Sequence, residues 1–386
     1  MSVHQPEVQP ARAPAAPHYA EAGGVLTVDL AAIEANWRAL ASRTVPVDCA
    51  AVVKADAYGC GIEEVVARLS KAGCGTFFVA DLAEGRRVRA VAREAVIYVL
   101  NGVLPNTAQA LSEAVLRPVI NGTAELAEWD GLVASRGWRG GCALHVDTGM
   151  NRLGITPDEA MAIASRVQSE NHGFTLLMSH LACADTPDHP MNDRQIRLFR
   201  EIRSLYRGVP CSLANSSGIF LDRGAVNYDL VRPGAALYGV NPTPGRKNPM
   251  RPVIELKGLI VQVRAIKRGD SVGYAAAWTS ERPTRIAIVA VGYGDGYLRG
   301  HGATAAKPAA EVIVNGRHCP IVGRISMDLL AVDVSDLADG TVRRGDFATL
   351  IGGDIDVDRL AGWAGTIGYE VLTSLGRRYY RVYKGK

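Results

Sequence analysis

From Val25 to about Val240 short apolar runs alternate with amphipathic stretches. VLTVDL is followed by AAIEANWRALASR, in which Ile33, Trp37 and Leu40 recur at helical spacing. CAAVVKADAY reads as a buried strand, and IEEVVARLSKAG as a helix closed by Gly73. The cycle continues through TFFVAD, AVIYVL, LRPVI, CALHVD, FTLLMSH, CSLAN and VNYDLVRPG, with helical sequence such as TAELAEWDGLVASRG and a long stretch near 190–207 between them. About eight strands, each followed by helical sequence, predict a parallel sheet. The length and the strand count favour a closed (β/α)8 barrel of the TIM type over an open doubly wound sheet, with Lys54 and Asp147 placed where strands run out.

Beyond about Met250 the pattern changes. VIELKGLIVQVRAIKRGD, TRIAIVAVGYGDG, AEVIVNGRHCPIVGRISMDLLAVDVS and FATLIGG are strand runs broken by glycines and charged turns, with the short helical stretches DRLAGWAG and YEVLTSLG among them. The Pro- and Gly-rich NPTPGRKNPM reads as a connector. The organisation expected is α/β: a disordered tail over 1–24, a barrel over 25–245 and a mainly β C-terminal domain over 246–386.

Composition narrows the function. A chain of 386 residues exceeds one ordinary core, and 48% hydrophobic with 21% charged residues is a globular balance. The net charge of +4 is mild, and the basic residues are scattered apart from pairs such as Arg86-Arg87 and Arg377-Arg378. That excludes a nucleic-acid footprint, which needs a massed basic face, and suits a small anionic substrate or cofactor. Cys49, Cys60, Cys74, Cys142, Cys183, Cys211 and Cys319 form no C-x-x-C pair, so neither a disulfide framework nor a zinc site is expected, and no other metal. No apolar run reaches membrane-spanning length, and the Pro- and Ala-rich start lacks a signal peptide's apolar core. A cytoplasmic location is expected.

AVVKADAYGCG is the most informative stretch. Lys54 closes an almost wholly apolar strand, with Tyr58 and Gly59 just beyond. An apolar pocket disfavours the ammonium form of a lysine and makes it a nucleophile toward an aldehyde, as a Schiff base to pyridoxal phosphate requires. Alone, such a lysine also reads as one snorkelling from a strand end.

The stretch does not stand alone. AVVKADAYG resembles the cofactor-lysine signature of the alanine racemase family, and further segments resemble that family in the same order: HVDTGMNRLG (145–154), MSHLACAD (178–185), LANSSGI (213–219), VRPGAALYG (231–239), VGYAAAW (272–278), VGYGDGY (291–297), GRISMD (323–328) and IGYE (367–370). The similarity runs from about Val25 to the C-terminus. It implies pyridoxal 5'-phosphate as cofactor, racemisation of L- and D-alanine, and a homodimer with shared active sites.

The resemblance also implies roles. Lys54 carries the Schiff base and is the base on one face of the substrate Cα; Tyr274 is the base on the other. A proton lost to one group and supplied by the other inverts the carbon. An ordinary phenol keeps its proton at neutral pH, and Arg152 and His180 are the residues the family suggests as its support. Arg232 would face the pyridine nitrogen; because an arginine hardly surrenders a proton, the electron sink is weakened and chemistry beyond Cα proton exchange suppressed. Tyr58, His180, Ser216, Gly234 and Tyr369 resemble the cofactor-binding set, with a short helix after Asn215-Ser216 turning its N-terminus to the phosphate. Arg152 and the backbone N–H of Met327 resemble the substrate-binding groups, and Tyr293 and Asp328 parts of an entrance gate. In the family Tyr274, Tyr293 and Met327 reach the cofactor of the other subunit.

Three positions depart from the family's commonest pattern. Cys60 stands where a histidine is usual and Asp56 where an asparagine is common. His145 stands where many members carry a lysine that becomes carbamylated and steadies the arginine equivalent to Arg152. An imidazole, a water or a bound anion is expected to serve instead, with activity insensitive to bicarbonate. Alternatives on the same fold are a serine, lysine or broad-specificity racemase and a decarboxylase of basic amino acids, the latter opposed by Arg232. A cofactor-carrying barrel without turnover would lack the β domain, and VGYGDG is not the G-x-G-x-x-G of a dehydrogenase.

Overall fold

In the computed structural model the described residues are 17–385, apart from 138–139, 170–171, 223–225 and 303–308. They fold into two compact units. One comprises the described residues of 27–255, 351–375 and 383–385; the other comprises those of 17–26, 256–350 and 376–382.

The first unit is the barrel. Its strands are β2 (Asp48–Cys49), β3 (Ala51–Val52), β4 (Thr76–Val79), β5 (Val96–Val99), β6 (Arg117–Ile120), β7 (Cys142–His145), β8 (Phe174–Met178), β9 (Cys211–Ser212) and β10 (Leu230–Val231). β3 to β9 pair in parallel in sequence order, and β10 pairs in parallel with β2. Ala50 N–H donates to Val231 O and Val52 N–H to Pro233 O, which closes the ring. The strands are short, β-branched-rich and buried, as a barrel covered by helices demands. Ala50, Val52, Phe78, Tyr98, Val119, Ala143, Leu176, Met178 and Leu230 fill the interior as one cluster. Helices such as Ile62–Lys71 bury an apolar face, made here of Ile62, Val65, Val66 and Leu69.

The second unit is built on an eight-stranded sheet. β1 (Gly24–Asp29), β11 (Ile254–Ile266), β14 (Thr284–Val289), β15 (Glu311–Val314), β16 (Arg317–Val322), β17 (Leu330–Asp333), β18 (Phe347–Ile351) and β19 (Tyr380–Lys384) lie in the order β14-β17-β16-β15-β18-β11-β1-β19. A further pairing of β11 with β14 curls the sheet on itself. β12 (Ser271–Val272) and β13 (Trp278–Thr279) form a small hairpin.

The alternating architecture agrees with the sequence; three placements do not. VLTVDL, counted into the barrel's alternation, is β1 of the second sheet, and its inward face alternates buried and half-buried as a two-layer sheet requires. The single cut near residue 245 is too simple, because helices Val357–Ala364 and Gly368–Ser374 join the barrel unit. There the Asp358 carboxylate accepts from Asn241 N–H at 2.8 Å. The tail expected over 1–24 lies outside the described residues up to residue 16; beyond that, Tyr19–Glu21 is a 3-10 turn, with the Tyr19 ring edge-on to Tyr380 at 5.4 Å.

Candidate active site

Lys54 stands two residues beyond the C-terminal end of β3, where barrel chemistry is placed. The strand expected over CAAVVKADAY stops at Val52. Ala55, Asp56, Ala57 and Tyr58 then take φ values of 54°, 56°, 54° and 53°, a left-handed turn ended by Gly59. Left-handed helix costs an L-residue roughly 1–2 kcal/mol each, so the surroundings must impose it. Glu84 does so with one carboxylate: it accepts from Asp56 N–H at 3.1 Å and from Ala80 N–H at 2.9 Å. The Asp56 carboxylate accepts from Ile62 N–H at 3.2 Å and from Arg87 at 2.5 Å. Asp56 therefore serves as a brace for the turn.

A cavity of about 780 Å³ lies beside this turn, lined among others by Lys54, Tyr58, His145, Arg152, His180, Ser216, Arg232, Gly234 and Tyr369. Its floor includes Phe78 and Met178 from the barrel core. Five of these groups are basic or imidazole, and Asp185 is the acidic side chain facing them. Burial, and then the Arg152 charge, hold the Lys54 amine below its ordinary range, which favours the nucleophilic form. His180 is pushed well below a normal imidazole by burial and by Arg232 and Arg152, so it is neutral at physiological pH.

Arg232 is 4% exposed. It donates to Ser212 Oγ and to Ser179 O, each at 2.5 Å, and lies over the Phe78 ring at 6.0 Å. Both partners are neutral, and burial pulls its guanidinium down to about 9. Arginine keeps its proton even so, so the site holds a buried cation.

The loop that carries Arg152 is fixed by Asp147, whose carboxylate accepts from Gly149, Met150 and Asn151 N–H at 2.8, 2.9 and 3.1 Å. Arg152 itself is exposed at the rim. His145, on β7, is held through Nδ1 by Asn121 Oδ1 at 2.8 Å. Asn121 Nδ2 already donates to Leu100 O and Val119 O, so its oxygen is the free half. His145 is thus fixed as the Nδ1–H tautomer. Burial first, then Arg232, lower it to about 4. The sequence reading missed Asn121; its signal is a polar residue immediately past an apolar strand, at the same end of the barrel as Lys54.

Opposite these cations, Ser216 Oγ accepts from Gly234 N–H at 3.0 Å and Ala236 N–H at 3.2 Å. A Cβ on Gly234 would meet Tyr58 Oη at 2.4 Å, so only glycine admits the tyrosine there. Tyr58 stacks on Tyr238 at 4.6 Å and stands 6.4 Å from the Tyr369 ring. The helix expected after Asn215-Ser216 is a single 3-10 turn, Gly218–Phe220, whose Gly218 N–H donates to Asn215 Oδ1. Pyridoxal phosphate fits this lining: an amine with a lowered proton affinity, the hydroxyl-bearing side chains of Tyr58, Ser216 and Tyr369, and a buried guanidinium.

Four of the residues expected at the site belong to the second unit. Tyr274 lies in the hairpin turn between β12 and β13 and is 68% exposed; Ala275 and Ala276 beside it have φ of 62° and 46°. Tyr293 is 41% and Met327 55% exposed, and Asp328 pairs with Arg378 at 2.8 Å. None of the four lines the barrel cavity.

Fold and cavity together define a barrel enzyme built to hold an anionic carbonyl cofactor on a lysine. Two family profiles match the chain: alanine racemase, N-terminal domain, over residues 28–242, and alanine racemase, C-terminal domain, over 253–383. The chain belongs to the alanine racemase family. It is 49% identical over 361 residues to an alanine racemase of Methylobacterium sp. (strain 4-46), covering 94% of this chain and 98% of that one. It is 50% identical to the alanine racemase of Methylobacterium nodulans, covering 94% and 96%. The crystal structure of alanine racemase from Bartonella henselae with covalently bound pyridoxal phosphate superposes with a TM-score of 0.88 at 35% identity, covering 94% of this chain and 99% of that chain.

Proposed function

We propose that this chain is an alanine racemase that interconverts L- and D-alanine, a pyridoxal-phosphate-dependent isomerase with Lys54 as the cofactor lysine. The observation that carries the reading is the cavity lined by both a desolvated Lys54 amine and a buried Arg232 whose hydrogen-bond partners, Ser212 Oγ and Ser179 O, are neutral. The cofactor, when bound, acidifies the substrate Cα–H by withdrawing electrons.

The chain's own residues do the rest. Lys54 and Tyr274 take and give the Cα proton from opposite faces, and neutral His180 and charged Arg152 support them. Arg232 would face the cofactor's ring nitrogen and, keeping its own proton, would leave that nitrogen unprotonated. Tyr58, Ser216, Gly234 and Tyr369 would hold the phosphate, while Arg152 and the Met327 N–H would receive the substrate carboxylate. Tyr293 and Asp328 narrow the entrance.

The working form is a homodimer. Tyr274, Tyr293, Met327 and Leu329 leave an exposed apolar and aromatic face on the sheet unit, and Leu153 and Ile367 are exposed at the cavity rim. Such patches mark association sites, and a second copy is the occupant that completes the catalytic pair. The seven free cysteines suit a reducing cytoplasm. Among the described residues no helix is long and apolar enough to cross a membrane.

The deciding experiment joins spectroscopy to product analysis. The purified protein is expected to show the visible absorption of a lysine Schiff base, to lose it on borohydride reduction with label on the Lys54 peptide, and to convert L-alanine to D-alanine by chiral chromatography. Label on another lysine, or no D-alanine, defeats the reading. Running serine, lysine and ornithine in parallel separates alanine from the broader substrates and from decarboxylation.

A further inference from the structure

Two turns of the sheet unit carry exposed site residues, and they are locked together. Tyr293 N–H donates to Ser326 O at 3.1 Å and Gly294 N–H to Met327 O at 2.8 Å. The backbones approach so closely that a Cβ on Gly292 would fall 2.3 Å from Met327 O and 2.4 Å from Ser326 O. Ser326 N–H donates to Leu329 O, which tightens the second turn from within. The Met327 N–H donates to nothing among the described residues and stands at an exposed position.

One side chain spans both turns. Arg378 donates through Nε to Asp295 Oδ1 at 2.7 Å and through Nη1 to Asp328 Oδ1 at 2.8 Å. Asp295 is buried, and its other oxygen accepts from Gly292 N–H at 2.9 Å, capping the turn of Tyr293. Asp295 O also accepts from Gly376 N–H at 2.8 Å, which ties down the segment that delivers Arg378. A guanidinium presents its donors in a rigid plane, so bridging two carboxylates fixes their separation as a flexible ammonium does not.

We propose that Arg378 is a positioning residue, which by bridging Asp295 and Asp328 fixes the turn of Tyr293 against the turn of Met327 and so sets the carboxylate-binding end of the alanine site. This rests on the function proposed above. A salt bridge with ends as exposed as Asp328 and Arg378, 59% and 53% by side chain, adds little to global stability. Its effect is to aim the free Met327 N–H.

The test uses the full-length holoenzyme, with Arg378→Met and Arg378→Lys beside wild type. Three quantities are read: alanine KM and kcat in both directions, the inhibition constant of propionate as a carboxylate without an amine, and thermal unfolding. Arg378→Met is expected to raise KM and the propionate constant together by about tenfold with kcat changed less than about threefold, the signature of lost ground-state binding. Arg378→Lys, which keeps the charge and loses the plane, is expected to fall between. An unchanged KM and propionate constant in either variant overturns the proposal, and if Arg378→Met does not fold, Arg378→Lys alone decides. Wild-type protein that makes no D-alanine defeats the function; a wild-type racemase whose KM ignores Arg378 defeats this inference alone.

Discussion

In the barrel unit the chemically useful groups line a cavity of about 780 Å³ and are desolvated by it, whereas in the sheet unit Tyr274, Tyr293 and Met327 stand 68%, 41% and 55% exposed. The barrel groups carry the marks of their surroundings: an amine and two imidazoles held below their ordinary ranges and a guanidinium buried without a counter-ion. The sheet groups owe their positions to backbone, through a hairpin turn and two interlocked loops. A cavity can tune a proton affinity by itself, but an exposed phenol can only be tuned by what it meets. On the proposed function, the barrel would hold one half of a two-base site and the sheet unit would offer the other half outward.

The strongest way to break that contrast is to split the two bases between chains. Lys54→Ala and Tyr274→Phe are each expected to lose activity by about 10³-fold or more, since a positioned acid or base contributes about 10²–10⁴. Tyr274→Phe keeps the visible cofactor absorption; Lys54→Ala loses the borohydride-reducible bond. Co-refolding the two dead chains then forms mixed dimers. If each site takes its lysine from one protomer and its tyrosine from the other, mixed dimers hold one intact site and the mixture recovers about a quarter of wild-type activity by random pairing. No recovery, with mixed dimers verified by tagging, shows that both bases come from one chain.

A weaker effect is expected from pH, and it belongs to the barrel. His145 titrates at about 4 in the folded chain, below the usual 6.5. Between those values the unfolded chain binds the extra proton, so stability rises with pH across the window. The contribution is complete above about pH 6.5 and is lost as pH falls toward 4, roughly 3 kcal/mol in full. His180 is shifted in the same direction and adds to it. Urea unfolding of wild type and His145→Gln at several pH values isolates the imidazole. The advantage of wild type is expected to shrink as pH falls, and a constant difference between the two would mean that His145 is charged or solvated.

How much of this was legible depends on which forces act locally. The barrel's alternation was readable because each strand is a short apolar run and each helix carries its own stripe. β1 was misplaced because VLTVDL is as good a strand in one sheet as in another; only its partners decide, and they are the distant β11 and β19. Gly368–Ser374 reads as helix, yet nothing in YEVLTSLG says which unit it joins. Lys54 and Arg232 came into view through motif resemblance rather than periodicity. Asn121 and Arg378 were missed because their importance lies in whom they meet: a histidine on the next strand and two aspartates 50 and 83 residues away.

The turn after Lys54 was missed for a different reason, and it yields the finest test of the comparison. Ala55, Asp56 and Ala57 are residues that local preference assigns to right-handed helix or to strand, and no glycine marks the positive φ values. The left-handed turn is imposed from outside by Glu84, Arg87 and the cap at Gly59. Ala55 is exposed and its side chain makes no part of that brace, so substitutions there report backbone preference alone. In a right-handed turn stability would follow Ala, then Val, then Gly. In the left-handed turn the order is expected to invert to Gly, then Ala, then Val, with glycine about 0.5 kcal/mol above alanine once its larger unfolded-state entropy is subtracted, and valine about 1 kcal/mol or more below. Thermal unfolding of the three proteins reads the order directly. Glycine at the bottom would mean that Lys54 is held by an ordinary helix start and that the barrel site stores no backbone strain.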